Sequence, residues 1–316
     1  MHLSMKTGSK MGFLSELSSN LFLSPMAGVT DKPFRQMVRM FGNHLLYTEM
    51  VSATSLMYEN KTSERMLDLT DEKSPIAIQL VGNNPEHFAK AAIKAEKNGA
   101  FLIDINMGCP VKKLISSASG VALMKEPILA AQIVEAVKKA VSIPVTVKTR
   151  LGWDDETINV VDFAKYMQDV GADGIAIHAR TKEQGYSGKA NWDKIAEVKK
   201  VLSIPVFANG DIINKQTAVN CLKQTNADGL LIGRAALGKP WILSLIDGNE
   251  KPADVSSIAL EHFDRLLSYY GPKGLYVARK HLSWYATGHS FVAQFRQMVY
   301  TEENPDNIRS LIKEFL

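Results

Sequence analysis

The chain has 316 residues, 46% hydrophobic and 22% charged, enough apolar side chain to bury a full core and too much charge for a bilayer interior. Its 37 Lys and Arg against 33 Asp and Glu leave a net charge of +4, which permits a polyanionic partner without demanding one. With two cysteines, Cys109 and Cys221, no CxxC pair and no apolar run of signal-peptide or membrane-spanning length, a disulfide scaffold is excluded, and a cytoplasmic protein without membrane or metal is expected.

Short β-rich runs alternate with longer segments of helical spacing. The runs are LFLSPMA (21–27), LLYTEM (45–50), PIAIQLVG (75–82), FLIDINMG (101–108), PVTVKTR (144–150), GIAIHAR (174–180), PVFANGD (205–211) and GLLIGR (229–234). Between them, 85–98, 127–141, 157–170 and 192–202 carry apolar residues three and four apart, as amphipathic helices do. Eight strand and helix units predict an α/β fold, a closed (β/α)8 TIM barrel over 21–247, after an N-terminal extension at 1–20. Weak internal repetition agrees: Ile143-Pro144-Val145 matches Ile204-Pro205-Val206, and Gly171-Ala172-Asp173-Gly174 matches Asn226-Ala227-Asp228-Gly229. Neither GxGxxG after the first strand nor GxxxxGK[ST] occurs, which argues against an open nucleotide-binding sheet. After a linker at 248–252 the strand pattern stops, and helices are predicted at 257–270, 274–287, 290–300 and 305–315, forming a small helical domain over 254–316.

Chemistry in such barrels sits on the loops after the strands. Polar residues recur there: Met26 with Thr30 and Asp31, Glu49, Gln79, Asn106 with Cys109, Lys148 with Arg150, His178 with Arg180, Asn209 with Asp211, and Gly233 with Arg234. Asn209-Gly210-Asp211 and Gly233-Arg234 end strands seven and eight, where barrels of this kind cradle phosphate with backbone N–H groups. Arg234 supplies charge, and Asp211 is read as a loop or ribityl contact. A phosphate there, a cation at Lys148 and amides at Gln79 and Asn106 suit a flat heterocycle with a phosphate tail, which points to FMN. Lys148 would stabilise the negative charge of its reduced ring.

Cys109 follows strand four in Asn106-Met107-Gly108-Cys109-Pro110, where Gly and Pro force a turn. An activated nucleophile and a protonated general acid are both open roles for it. Cys221 reads as a small buried side chain.

The segments SPMAGVTDKPFR (24–35), IAIQLVG (76–82), DINMGCPVKK (104–113), VKTRLGW (147–153), IHARTKEQGYSGKANW (177–192), PVFANGDI (205–212) and ADGLLIGRAALGKPW (227–241) resemble those of the tRNA-dihydrouridine synthases, particularly the bacterial subfamily lettered B. RKHLSWY (279–285) carries the resemblance more weakly into the tail. It implies an FMN enzyme that takes hydride from NADPH (or NADH) and reduces the C5–C6 bond of selected tRNA uridines. By the same resemblance FMN contacts fall at Pro25, Met26, Ala27, Gln79, Lys148, His178, Asn209, Gly210, Asp211, Gly233 and Arg234. Cys109 would protonate C5, and Asn106 and Arg180 would face the uridine. Two departures are the residues before about 15, which extend beyond the usual start, and a serine-rich loop at 115–120.

The tail suits RNA on its own composition. Residues 265–300 hold Arg265, Lys273, Arg279, Lys280 and Arg296, eight aromatics and no acid, the mixture that neutralises phosphates and stacks on bases. Tyr269, Trp284 and Phe295 are expected mostly in the core. The expected assembly is a monomer acting on tRNA. The alternatives are an FMN barrel dehydrogenase for a free pyrimidine and a non-catalytic tRNA-binding module.

Overall fold

The computed structural model describes residues 12–316. Eight parallel strands close into a barrel in chain order: β1 Leu21–Leu23, β2 Leu45–Ser52, β3 Ile76–Val81, β4 Leu102–Met107, β5 Val145–Thr149, β6 Gly174–His178, β7 Val206–Asn209 and β8 Gly229–Ile232, with β8 returning to β1. Each falls on a run read from the sequence, because strands covered on both faces are nearly continuous in Leu, Ile and Val. The helices Pro85–Lys97, Pro127–Ala140, Val160–Asp169 and Trp192–Val201 lie outside them. Pro85 and Pro127 open their helices, where the missing N–H costs nothing.

Alternate strand residues point inward. Near the N-terminal end these are Phe22, Leu45, Tyr47, Ala77, Leu102, Ala176, Phe207 and Leu231, packed as one apolar cluster. Phe13 and Leu14, in the 3₁₀ helix Gly12–Glu16, complete that cluster, and the Phe13 ring meets Phe207 edge-on at 6.3 Å. The barrel is thus closed from below. Of the stretch read as an N-terminal extension, residues 1–11 lie outside the described residues. Toward the other end the inward positions turn polar: Gln79, Asp104, Asn106, Thr146, Lys148, His178 and Asn209.

The helices Val255–Tyr270, Gly274–Tyr285, Val292–Thr301 and Pro305–Phe315 share a separate core of Phe263, Leu266, Leu282, Phe295, Val299 and Ile312, completed by Met37 and Trp241 from the barrel. They dock on the helix Lys32–Arg39. The Tyr270 hydroxyl donates to Asp31 Oδ2 at 2.9 Å, and Arg265 donates to Gln36 at 2.9 Å. Phe34, fully buried, lies against the rings of His262 and His281 at 5.6 and 5.8 Å, and burying such a ring stabilises by about 1.5–3 kcal/mol. A Cβ on Gly238 (φ +68°) would come within 2.3 Å of the Trp284 backbone, so this glycine lets the tail reach the β8 loop. Among the described residues no helix is long and apolar enough to cross a membrane.

Candidate active site

At the C-terminal ends of the strands opens a cavity of about 840 Å³. Pro25, Met26, Ala27, Gln79, Asn106, Cys109, Lys148, His178, Asn209, Gly210, Asp211, Gly233 and Arg234 all line it. The pairing explains the convergence: Gln79 lies beside Asp104, Asn106 beside Lys148, and His178 beside Asn209 on neighbouring strands.

On the cavity's β7 and β8 side, Gly210 holds φ +122° and Asp211 φ +55°. A Cβ on Gly210 would meet Ala190 Cβ at 3.0 Å and the His178 ring at 3.2 Å, so glycine keeps this turn tight. At Gly233 a Cβ would have only ordinary contacts with Ser24 and Met26, leaving the backbone open to the cavity. Gly233 also begins the 3₁₀ turn Arg234–Ala236, whose first N–H groups lack intrahelical acceptors. Arg234 stands over the Tyr186 ring at 5.1 Å and 3.6 Å from Asp211. Partial burial opposes the ionisation of Asp211, yet the Arg180 guanidinium and the Ala190 N–H, at 2.8 Å, hold its carboxyl below the usual range. Small residues, backbone donors and an arginine fit a phosphate, and the cavity has room for the ring to which it is attached.

The thiol side is equally constrained. Gly108 passes Thr149 so closely that a Cβ would lie 3.0 Å from its carbonyl carbon. Asn106 Oδ1 accepts the N–H groups of Gly108 at 3.2 Å and Cys109 at 2.9 Å. Arg150 donates to Gly108 O at 2.8 Å and to Thr181 O and Gly185 O, each at 2.9 Å, pinning the cysteine loop to the β6 loop. In the serine-rich loop, Ser117 closes the helix Lys112–Ser116 by donating to Lys113 and Leu114 carbonyls. Gly120, at φ +62°, then lets Val121 N–H reach Cys109 O.

Burial pushes the Cys109 thiol above its ordinary value, against the pull of the Val111 N–H, Arg150 and Lys148. It is a protonated thiol at neutral pH, suited to donating a proton rather than attacking. Partial burial lowers the Lys148 pKa, and Asp104 opposes that by favouring its charge; its Nζ donates to Asn209 Oδ1 at 3.3 Å. Burial and the cations Lys148, Arg150, Arg180 and Arg234 push His178 down to about 2, so its imidazole is neutral.

Arg180 departs from expectation. It is 1% exposed and is not part of the cavity lining; it bonds Asp211 through both carboxylate oxygens at 2.7 and 2.8 Å, Ser187 O at 3.0 Å and Gly188 O at 2.8 Å, and lies 3.3 Å from His178 Nε2. Its N–H also bonds His178 O at 2.7 Å, a turn just past β6 that ends the strand's alternation. Glu49 likewise lies outside the lining and accepts the Gly28 N–H. Sequence reading did not place Tyr186, Met50 or Trp284 here. Tyr186 tilts over His178 at 5.9 Å and under Arg150 at 5.6 Å, while Trp284 enters from the helical tail.

A closed barrel whose mouth gathers a protonated thiol, a half-buried lysine, a neutral imidazole and a tight glycine turn is that of a (β/α)8 enzyme. The family model described as "Dihydrouridine synthase (Dus)" matches residues 22–314, barrel and helical tail together. The chain is 44% identical over 311 residues to the "Probable tRNA-dihydrouridine synthase" of Rickettsia bellii, covering 95% of each. It is 41% identical to the "tRNA-dihydrouridine synthase B" of Xanthomonas axonopodis, covering 95% of this chain and 93% of that one, and 41% to that of Pseudomonas aeruginosa, covering 94% of each. The chain belongs to the dihydrouridine synthase family.

Proposed function

We propose that this protein reduces the C5–C6 bond of specific uridines in tRNA to 5,6-dihydrouridine, with Cys109 as general acid. The observation that carries the reading is the half-buried, protonated thiol on the same cavity as Lys148, His178 and the Gly210 and Gly233 turns. Bound FMN, recharged by NADPH, supplies hydride chemistry at C6 of the uracil. Its phosphate fits the Gly210 and Gly233 turns with Arg234. Lys148 and Gln79 suit the polar edge of its ring, and neutral His178 adds a hydrogen-bonding group without another positive charge. Asn106 holds the Cys109 backbone, and the Cys109 Sγ–H delivers the proton to C5. The deprotonated sulfur then lies near Lys148 and Arg150, which stabilise it until a proton returns.

Trp284 and Lys280 support the assignment of tRNA as substrate. A second cavity, of about 420 Å³, is lined by Lys280, Ser283, Trp284, Arg296, Gln297 and Tyr300. Trp284 lines both cavities, so a cationic and aromatic surface runs from the tail to the barrel mouth, as a nucleic acid held while one base is drawn inward requires. The test is unmodified tRNA incubated with the purified protein, FMN and NADPH, followed by mass spectrometry of its nucleosides. Dihydrouridine at defined positions is the expected product. Reduction of free uracil with none in tRNA would replace this reading with that of a small-pyrimidine dehydrogenase.

A further inference from the structure

Asp104 lies beneath the site, fully buried, and faces Gln79 on β3 and Thr146 on β5 at one height in the barrel. Its carboxylate accepts from Thr146 Oγ1 at 2.7 Å and from Gln79 Nε2 at 2.6 Å. The other end of that amide, Gln79 Oε1, accepts from Asn106 Nδ2 at 2.8 Å, and Asn106 Oδ1 receives the N–H groups of Gly108 and Cys109. Every link has one direction only, because an ionised carboxylate accepts and cannot donate. The Gln79 amide must therefore turn its NH2 to Asp104 and its oxygen upward, which turns the Asn106 NH2 down and its oxygen toward the cysteine loop. Reversing either amide would set NH2 against N–H, or oxygen against carboxylate.

We propose that Asp104 is a positioning residue that, through Gln79 and Asn106, fixes the backbone carrying the Cys109 thiol. This deepens the function proposed above and rests on it for the meaning of the thiol, though not for the geometry. Asp104 is not itself part of the cavity lining, and its carboxylate bonds go to Gln79 and Thr146 rather than to the cysteine loop. An Asn at its position has nearly the same shape but offers an NH2 as readily as an oxygen, so both amides above it lose their fixed sense and the two loop N–H groups lose a dependable acceptor. A competing role is countercharge for Lys148, whose charge Asp104 favours. Substitution of Gln79 separates the two roles, since it breaks the chain and leaves the carboxylate in place.

The test is hydrogen exchange at the Gly108 and Cys109 amides, measured on FMN-saturated protein, with flavin-stripped wild type as the reference for cofactor loss. Asp104→Asn and Gln79→Met should each speed exchange at both amides by about tenfold or more, whereas Thr146→Val, which removes the other bond to Asp104, should leave both protected. Single-turnover uridine reduction should fall about 10- to 100-fold in the first two variants. Wild-type protection in either of them, or equal loss in Thr146→Val, overturns the proposal. The exchange readout requires neither tRNA nor NADPH. Failure of the uridine chemistry with the exchange pattern intact would count against the proposed function alone.

Discussion

A thiol that stays protonated at neutral pH is a poor nucleophile and a serviceable acid, and burial at Cys109 keeps it so. Cys109→Ala should bind FMN and permit its reduction by NADPH, yet lose about 10²- to 10⁴-fold in single-turnover reduction of tRNA. The active form carries the proton and its pKa is raised, so wild-type activity should decline with rising pH only above the ordinary thiol range. A pH profile of the single-turnover rate checks this. Residue identity at strand ends was legible in advance, since inward positions follow a period of two. Arg180 shows where that legibility stops: the turn at His178 O breaks the period, and a residue of the right parity ends up clamping Asp211 beneath the loop. Tyr186 and Trp284 gave no usable local signal, the first lying on a loop and the second arriving from a distant helix.

At the scale of elements, the strands were readable because each is a short apolar run bounded by turn residues. The helix Lys32–Arg39 passed unnoticed because it has only 8 residues, and Lys215–Thr225 because its sequence, KQTAVNCLKQT, is largely polar. In the tail, counting charges between 265 and 300 missed the groups just outside that window. Arg265 pairs with Glu261, and Arg279 donates to Glu302 O and stacks on Tyr276; both are committed to holding the tail together. Lys280 and Arg296 instead line the second cavity. Lys280→Glu with Arg296→Glu should therefore weaken tRNA binding and reduce the slope of log affinity against log salt by about two, roughly one per lost phosphate contact. Flavin reduction without RNA should be unchanged. A salt series of binding measurements beside NADPH-driven flavin bleaching decides it, and an unaltered slope would free the tail cavity of that role.

For the whole molecule, folding holds several histidines neutral. Burial pushes His44 to about 4 and His262 to about 3, and drives His281 well below the usual range. In the unfolded chain each titrates near the ordinary value of about 6.5. As pH falls below that value the unfolded state takes up protons that the folded state refuses, so stability present above pH ~6.5 drains away toward pH ~4. Asp31 and Asp104, each raised to about 6 by burial, oppose this over part of the range, but with His178 held at about 2 they are two groups against four. The melting temperature should fall over this interval, and His281→Leu should fall less steeply, because it removes one of the rings that take up a proton only on unfolding. Melts at a series of pH values test both statements.

Among the described residues, the apolar floor of Phe13, Phe22 and Phe207 closes the barrel on one side, and the cavity opens at the C-terminal ends of the strands. Under the proposed reaction, nicotinamide and uracil reach the cavity from that same side, so oxidised dinucleotide should depart before the RNA base arrives. Turnover then becomes an alternation of visitors, and time spent by one guest is time denied to the other. At high concentration the hydride donor should act as a competitor of the RNA it serves.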